Sequence, residues 1–211
     1  MLADSEVLSN SVIADVVSEV GVPTTVDDAY RTYMGKRLND VIETIERVTG
    51  RKLPADFADS YQRRTFDAFR ARLKPVDGAR EFLAEWCDVP NCIASSSSPE
   101  RLALSLEVLD MTALFEGRVF SASRVARGKP HPDIFLYAAE QLGVTPADCI
   151  VIEDSLSGIT GARAAGATAI GLTAASHVQP GHDMRLREAG ADHVAASFAE
   201  LDRIIRPLLR N

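Results

Sequence analysis

The sequence predicts an α/β fold, a Rossmann-like parallel sheet core into which a helical cap domain is inserted. Three observations predict it. Residues 5–72 carry only helical periodicity. From Lys74-Pro75 onward, short apolar runs alternate with amphipathic segments. Residues 149–166, C-I-V-I-E-D-S-L-S-G-I-T-G-A-R-A-A-G, form an apolar run that stops on two adjacent carboxylates and continues as a helix of small residues. Such alternation argues for parallel strands joined by right-handed crossovers. A run without polar alternation is what a strand buried on both faces of that sheet requires.

The first helix is expected from about Ser5, because Val7-Leu8, Val12-Ile13, Val16-Val17 and Val20 recur at helical spacing until Gly21-Val22-Pro23 breaks the run. A second covers 26–33. Gly35 opens a turn before Leu38, Val41-Ile42 and Ile45 begin a third, and Pro54 starts a fourth containing Phe57, Tyr61, Phe66 and Phe69. Pro75 marks the boundary: residues 5–74 form the cap, and 75–211 with residues 1–4 form the core. The core is expected to run helix 77–86, strand 92–94, helix 99–109, strand 119–121, helix 132–142, strand 150–152, helix 157–165 and strand 168–172. A short strand at 193–194 and a helix over 198–209 close it.

Composition narrows the function classes. A length of 211 residues suits one domain with an insertion or two modest domains. The net charge of −7, without a basic run, gives nucleic acid no electrostatic footprint, although local amides and a few cations still suffice to hold a phosphate. Cys87, Cys92 and Cys149 fall outside any metal-ligand spacing and fit core thiols in a reducing compartment. Asp4 and Glu6 stand where a secretory signal needs basic residues, and no segment approaches the roughly 18 apolar residues of a membrane span. A cytoplasmic monomer or weak homodimer is expected, with neither nucleic-acid nor membrane partners.

Glu153 and Asp154 end their strand at its carboxyl end, where open parallel sheets keep their ligand crevice. Adjacent carboxylates repel unless a cation neutralises them, and hard oxygen donors suit Mg²⁺. Ser155 and Ser157 offer the plainer role of capping the next helix, with Gly166 as its stop. Residues 95–98, all serine, follow strand 92–94 directly; hydroxyls and amides there make a phosphate cradle or simply a helix cap. In Gly128-Lys129-Pro130-His131-Pro132 the lysine sits on a stiff loop, so its ammonium is a fixed point charge able to offset repulsion between a phosphate and a carboxylate. His131, flanked by prolines, receives no role.

The order strand-Ser, loop-Lys, strand-Glu-Asp resembles the haloacid dehalogenase superfamily of aspartate-nucleophile hydrolases, whose second, third and fourth motifs are a Ser or Thr, a Lys and an acidic pair. Ser95, Lys129 and Glu153-Asp154 match them. The phrases I-A-S-S-S, G-K-P-H-P-D-I-F and I-E-D-S-L-S-G-I-T-G-A are similar to the branch containing β-phosphoglucomutase and sugar-phosphate phosphatases, and the helical block lies where members with a small cap carry it. The resemblance implies Mg²⁺-dependent phosphoryl transfer through an aspartyl-phosphate, on a small phosphorylated metabolite such as a sugar phosphate. Ser95, Lys129 and Asp154 are its catalytic residues. Asp154 ligates the metal, with Glu153 either a direct or an outer-shell ligand. The Ser96 amide helps Ser95 hold the phosphoryl group, and Lys36, Arg37 and Asn10, with Ser9, face the substrate from the cap. A mutase needs a well-placed His in the first cap helices, and none occurs before Cys87, so a phosphatase is favoured over a mutase. A phosphate-binding pseudoenzyme is the further alternative.

One departure matters. The family's first motif is a strand ending D-x-D-G-x-x-x-D-S-E, whose first Asp attacks phosphorus, whereas this chain begins M-L-A-D-S-E. Asp4-Ser5-Glu6 matches only the tail. That strand is central in the family's sheet, so its loss would orphan backbone groups at about 1–3 kcal/mol each, against a domain's net stability of about 5–15 kcal/mol. The expectation is therefore a truncated chain whose natural form carries roughly a dozen more residues upstream. As written, the chain is expected to be inactive or severely impaired.

Overall fold

The computed structural model describes residues 1–33, 36 and 38–209. They divide into two compact units, Ser5–Lys74 and Met1–Asp4 with the chain from Pro75 onward.

The first unit consists of α1 (Ser5–Glu19), α2 (Val26–Tyr33), α3 (Leu38–Thr49) and α4 (Phe57–Arg72). Apolar residues at three- and four-residue spacing give each helix one buried side. Val12, Ile13, Val16 and Val17 of α1 meet Ala29, Val41, Ile45 and Phe57 in a single cluster. Thr65 of α4 is buried too, and its Oγ1 has no hydrogen-bond partner. An orphaned buried hydroxyl costs about 1–3 kcal/mol. Thr65→Val, which removes the oxygen and keeps the branched shape, is expected to stabilise this unit by about 1 kcal/mol. A lower melting temperature by circular dichroism would contradict this.

The second unit carries two parallel sheets. β1 (Ile93–Ser95) pairs with β2 (Val119–Ser121); β3 (Ile150–Glu153), β4 (Thr168–Leu172) and β5 (His193–Ala195) form the other in that order. Around them lie α5 (Ala79–Glu85), α6 (Pro99–Val108), α7 (Asp133–Leu142), α8 (Leu156–Ala164), α9 (His182–Glu188) and α10 (Phe198–Leu208). Neighbouring residues of β4 point to opposite faces, as the pleat requires. Ala169 joins Phe120, Ile134, Phe135 and Ile159 in one cluster. Ile170 joins Leu172, Phe198, Leu201 and Ile205 in the other, against which Met1 and Leu2 pack.

Among the described residues no strand joins β1 to β3. The Ile93 amide donates to the Arg118 carbonyl at 2.9 Å, on the β2 side, so the amide and carbonyl of Ala94 point to the open edge of β1. The Thr168 amide donates to the Cys149 carbonyl at 3.0 Å, on the β4 side, which leaves Ile150 and Ile152 facing the open edge of β3. The run 150–152, expected to be buried on both faces, is accordingly half-buried throughout, whereas residues 169–172 of β4 are fully buried.

Most expected elements stand within two residues of their observed ends. Serine caps account for several of those ends: Ser98, Ser155 and Ser197 accept from the amides of Arg101, Gly158 and Glu200 at 3.3, 3.0 and 3.2 Å. The helix expected from residue 77 starts two residues later because Gly78 turns the chain with φ +81°. Helix α9 was not expected. It has seven residues, buries only His182 and Leu186 and leaves Met184 exposed, so its apolar period is too weak to see.

Cys92 and Cys149 immediately precede β1 and β3. Burial, aided by the neighbouring Cys149 and opposed by Arg118, pushes the Cys92 thiol up to about 11. Alkylation at pH 8 is expected to modify exposed Cys87 first and to spare Cys92 until the unit unfolds. Equal labelling rates at Cys87 and Cys92 in the folded protein would contradict this. No described helix is long and apolar enough to cross a membrane.

Candidate active site

The small residues of α8 exist for close approach. A Cβ on Gly158 would fall 2.2 Å from the carboxyl carbon of Glu153, and one on Gly161 would fall 3.1 Å from the His131 carbonyl oxygen and 3.2 Å from that of Pro130. One turn of glycine-bearing helix thus lets α8 abut both the acidic pair and the lysine loop.

Lys129 connects the two sheets. Its side chain is 7% exposed, and its ammonium donates to the Ala94 carbonyl on the open edge of β1 at 3.2 Å and to the carboxylate of Glu153 at the end of β3. It also lies 5.0 Å from the centre of the Phe135 ring. The Lys129-Pro130 peptide is cis. The other oxygen of Glu153 accepts the Ser155 hydroxyl at 3.1 Å. Both Glu153 oxygens are engaged by protein groups, so its carboxylate holds Lys129 and the start of α8.

Ser95 ends β1, one residue beyond the carbonyl that Lys129 touches. Its Oγ accepts from the Ser97 amide at 3.2 Å, and the Ser121 hydroxyl of β2 donates to the Ser97 carbonyl at 2.6 Å, so the serine turn is tied to both strands. Ser95 and Ser96 are half-buried; Ser98 is the exposed cap of α6. The cap reading of this turn falls to Ser98.

Asp154 follows β3 with its side chain 15% exposed. Its Oδ2 is buried without a well-aligned hydrogen bond, and lies 3.2 Å from the Met1 ammonium and 3.9 Å from His177 Nε2. Burial alone would raise this carboxyl, but the Met1 ammonium, then His177 and Lys129, outweigh it and hold it below the usual carboxylate range. A buried carboxylate oxygen just past the carboxyl end of a parallel strand is one that could hold a metal ion. No group of three or more His, Cys, Asp or Glu side chains is arranged to hold an ion among the described residues.

The cap candidates belong to the helical unit. Asn10 is buried in α1, where its Nδ2 donates to the carbonyl and Oε2 of Glu6 at 2.8 and 3.2 Å, and the Ser9 hydroxyl donates to the Ser5 carbonyl at 2.8 Å. Lys36 is exposed, and Arg37 lies outside the described residues. The sequence reading missed His177 and His182, both buried, both beside Asp154. The signal was present in S-H-V-Q-P-G-H, two imidazoles five residues apart just past the carboxyl end of a strand.

The haloacid dehalogenase-like hydrolase family profile matches residues 5–166, which is most of the chain. The chain belongs to the haloacid dehalogenase-like hydrolases. A conserved haloacid dehalogenase-like protein from Agrobacterium tumefaciens superposes with a TM-score of 0.83 at 34% identity, covering 99% of this chain and 94% of that one. Over 180 residues the chain is 25% identical to the 6-phosphogluconate phosphatase of Escherichia coli, covering 85% of this chain and 81% of that protein. It is 31% identical over 172 residues to a phosphorylated carbohydrates phosphatase of Thermotoga maritima, covering 79% and 77%. Other curated relatives, β-phosphoglucomutases among them, are spanned over 16% to 56% of their length. The parallel-stranded α/β architecture is that of this hydrolase family.

Proposed function

We propose that this haloacid dehalogenase-like chain is a Mg²⁺-dependent phosphatase scaffold for small phosphorylated metabolites, sugar phosphates first among them. The observation that carries the reading is the Lys129 ammonium, which binds the open edge of β1 and the acidic end of β3 at once. A phosphoryl group seated beside it meets the Ser95 hydroxyl and Ser96 amide on one side and Asp154 on the other. Ser95 donates to a phosphoryl oxygen, Lys129 supplies a fixed positive charge, and Glu153 keeps that charge aimed. Asp154 holds the metal, which when bound neutralises charge on phosphate and nucleophile together. The two relatives covered over most of their length are named for phosphogluconate and phosphorylated carbohydrates, which supports the substrate class.

The nucleophilic carboxylate is assigned to a strand lying between β1 and β3. Both open edges face that position, and each offers amides and carbonyls that a parallel partner satisfies. On that strand a carboxylate oxygen would attack phosphorus as the ester P–O bond breaks; water then cleaves the acyl-phosphate and releases phosphate.

The test fuses ahead of Met1 an apolar strand ending in D-x-D-G and assays phosphate release across a panel of phosphosugars and phosphosugar acids with Mg²⁺. The extended protein is expected to turn over at least one substrate, the chain as given none, and Ser95→Ala in the extended protein should cost about 10²–10³ in kcat. Phosphate binding without turnover by both forms would instead favour a binding protein. Lys36 and Arg37 are assigned to the leaving group: Lys36→Ala is expected to reorder the substrate panel, and an unchanged ranking removes Lys36 from recognition.

A further inference from the structure

The stretch after β4, residues 173–182, brings two buried imidazoles to Asp154 and carries none of the family motifs discussed above. It is fixed at several points. The Thr173 amide and hydroxyl donate to the Ala195 carbonyl of β5 at 2.9 and 3.3 Å, and the Ser176 amide donates to Asp4 Oδ1 at 3.2 Å. Ala175 and Val178 pack into the core cluster of Ile170 and Leu172. The chain then turns through Gly181, at φ +78°, to present His182. His182 Nε2 lies 2.6 Å from the carbonyl oxygen of Asp154, and His177 Nε2 lies 3.9 Å from its Oδ2. Both rings are less than 8% exposed.

Asp154 is the first residue past the last paired position of β3, where Glu153 is in register with Gly171. No ladder bond fixes its peptide, so the direction of its side chain depends on whatever holds its carbonyl. A carbonyl oxygen only accepts, so the His182 nitrogen facing it must carry the hydrogen. We propose that His182 is a positioning residue for Asp154: by donating Nε2–H to the Asp154 carbonyl, it locks the peptide beyond β3 and aims the carboxylate into the crevice, with His177 packed beside Oδ2. This rests on the reading of Asp154 as the metal ligand. The donor, not the ring, is what matters, so glutamine at 182 preserves the role and leucine removes it.

The test measures Mn²⁺ binding to the full chain by electron paramagnetic resonance, for wild type, His182→Leu, His182→Gln and Asp154→Asn. Expected are loss of binding in D154N, about tenfold or greater weakening in H182L, and near wild-type affinity in H182Q. No binding by wild type, or equal binding by D154N, removes the metal reading and this proposal with it. Loss in D154N together with unchanged affinity in H182L overturns the positioning role alone. If H182L does not fold, nitrogen-15 spectra of wild type, assigned by comparison with H182Q, decide the matter. A protonated, pyrrole-type Nε2 on His182 is expected, and a pyridine-type Nε2 overturns the proposal.

Discussion

Lys129→Met is expected to lower the unfolding free energy of the α/β unit by about 3–5 kcal/mol, the usual cost of breaking a buried ion pair from one side. Lys129 and Glu153 have side chains only 7% and 10% exposed. Removing the ammonium leaves a buried carboxylate with the Ser155 hydroxyl alone and strips the Ala94 carbonyl of its donor. Methionine fills most of the volume and can still pack on Phe135, so the loss reports charge more than cavity. The double variant Lys129→Met/Glu153→Gln is expected to recover much of the stability, because neither charge is then stranded. Urea titration followed by fluorescence reads the correct unit, since the chain's single tryptophan, Trp86, lies within it. A cost under about 1 kcal/mol for K129M, the level of a solvated surface pair, would contradict the account.

Gly158→Ala is expected to destabilise the same unit by about 3 kcal/mol, against the gain of about 1 kcal/mol that alanine brings to an unhindered helix interior. Gly158 has no left-handed backbone to excuse the loss; the cause is space. The new Cβ would lie 2.2, 2.3 and 2.6 Å from the carboxyl carbon and two oxygens of Glu153. That carboxylate is held by Lys129 and Ser155 and cannot swing away without breaking the ion pair. Glu153→Asp in the G158A background withdraws the carboxylate by one methylene and is expected to restore part of the loss. Urea midpoints of the two single variants and the double variant check this. Stabilisation by G158A alone would show that Glu153 is not pinned.

The strands, the small-residue helix and the lysine loop were legible because each follows from local chemistry. Residues 168–172 show as a strand by their apolar run, and Ser155 shows as a cap by its place before α8. Other features depend on what a segment meets in space. Ile150 and Ile152 look like a doubly covered strand in sequence, but an open edge leaves them half-buried. Glu153 shows in sequence as one of an acidic pair, but that its two oxygens meet Lys129 and Ser155 is set by the fold. Asn10 shows in sequence as a polar residue of the first helix, but that its amide bonds back to Glu6 is set by the helix that forms. The pair His177 and His182 is visible in the sequence, but the partner of His182 is a backbone carbonyl 28 residues away, which no pattern of side chains announces.

The most direct measurement of the account is calorimetric titration of the chain with inorganic phosphate, with and without Mg²⁺. If the rim of β1 and β3 forms one site, phosphate binds more tightly with Mg²⁺ present, Ser95→Ala weakens it in both conditions, and Asp154→Asn abolishes the effect of the metal. Phosphate binding indifferent to both substitutions, or no binding in the presence of Mg²⁺, would contradict the central claim that Ser95, Lys129 and Asp154 serve a single phosphoryl group.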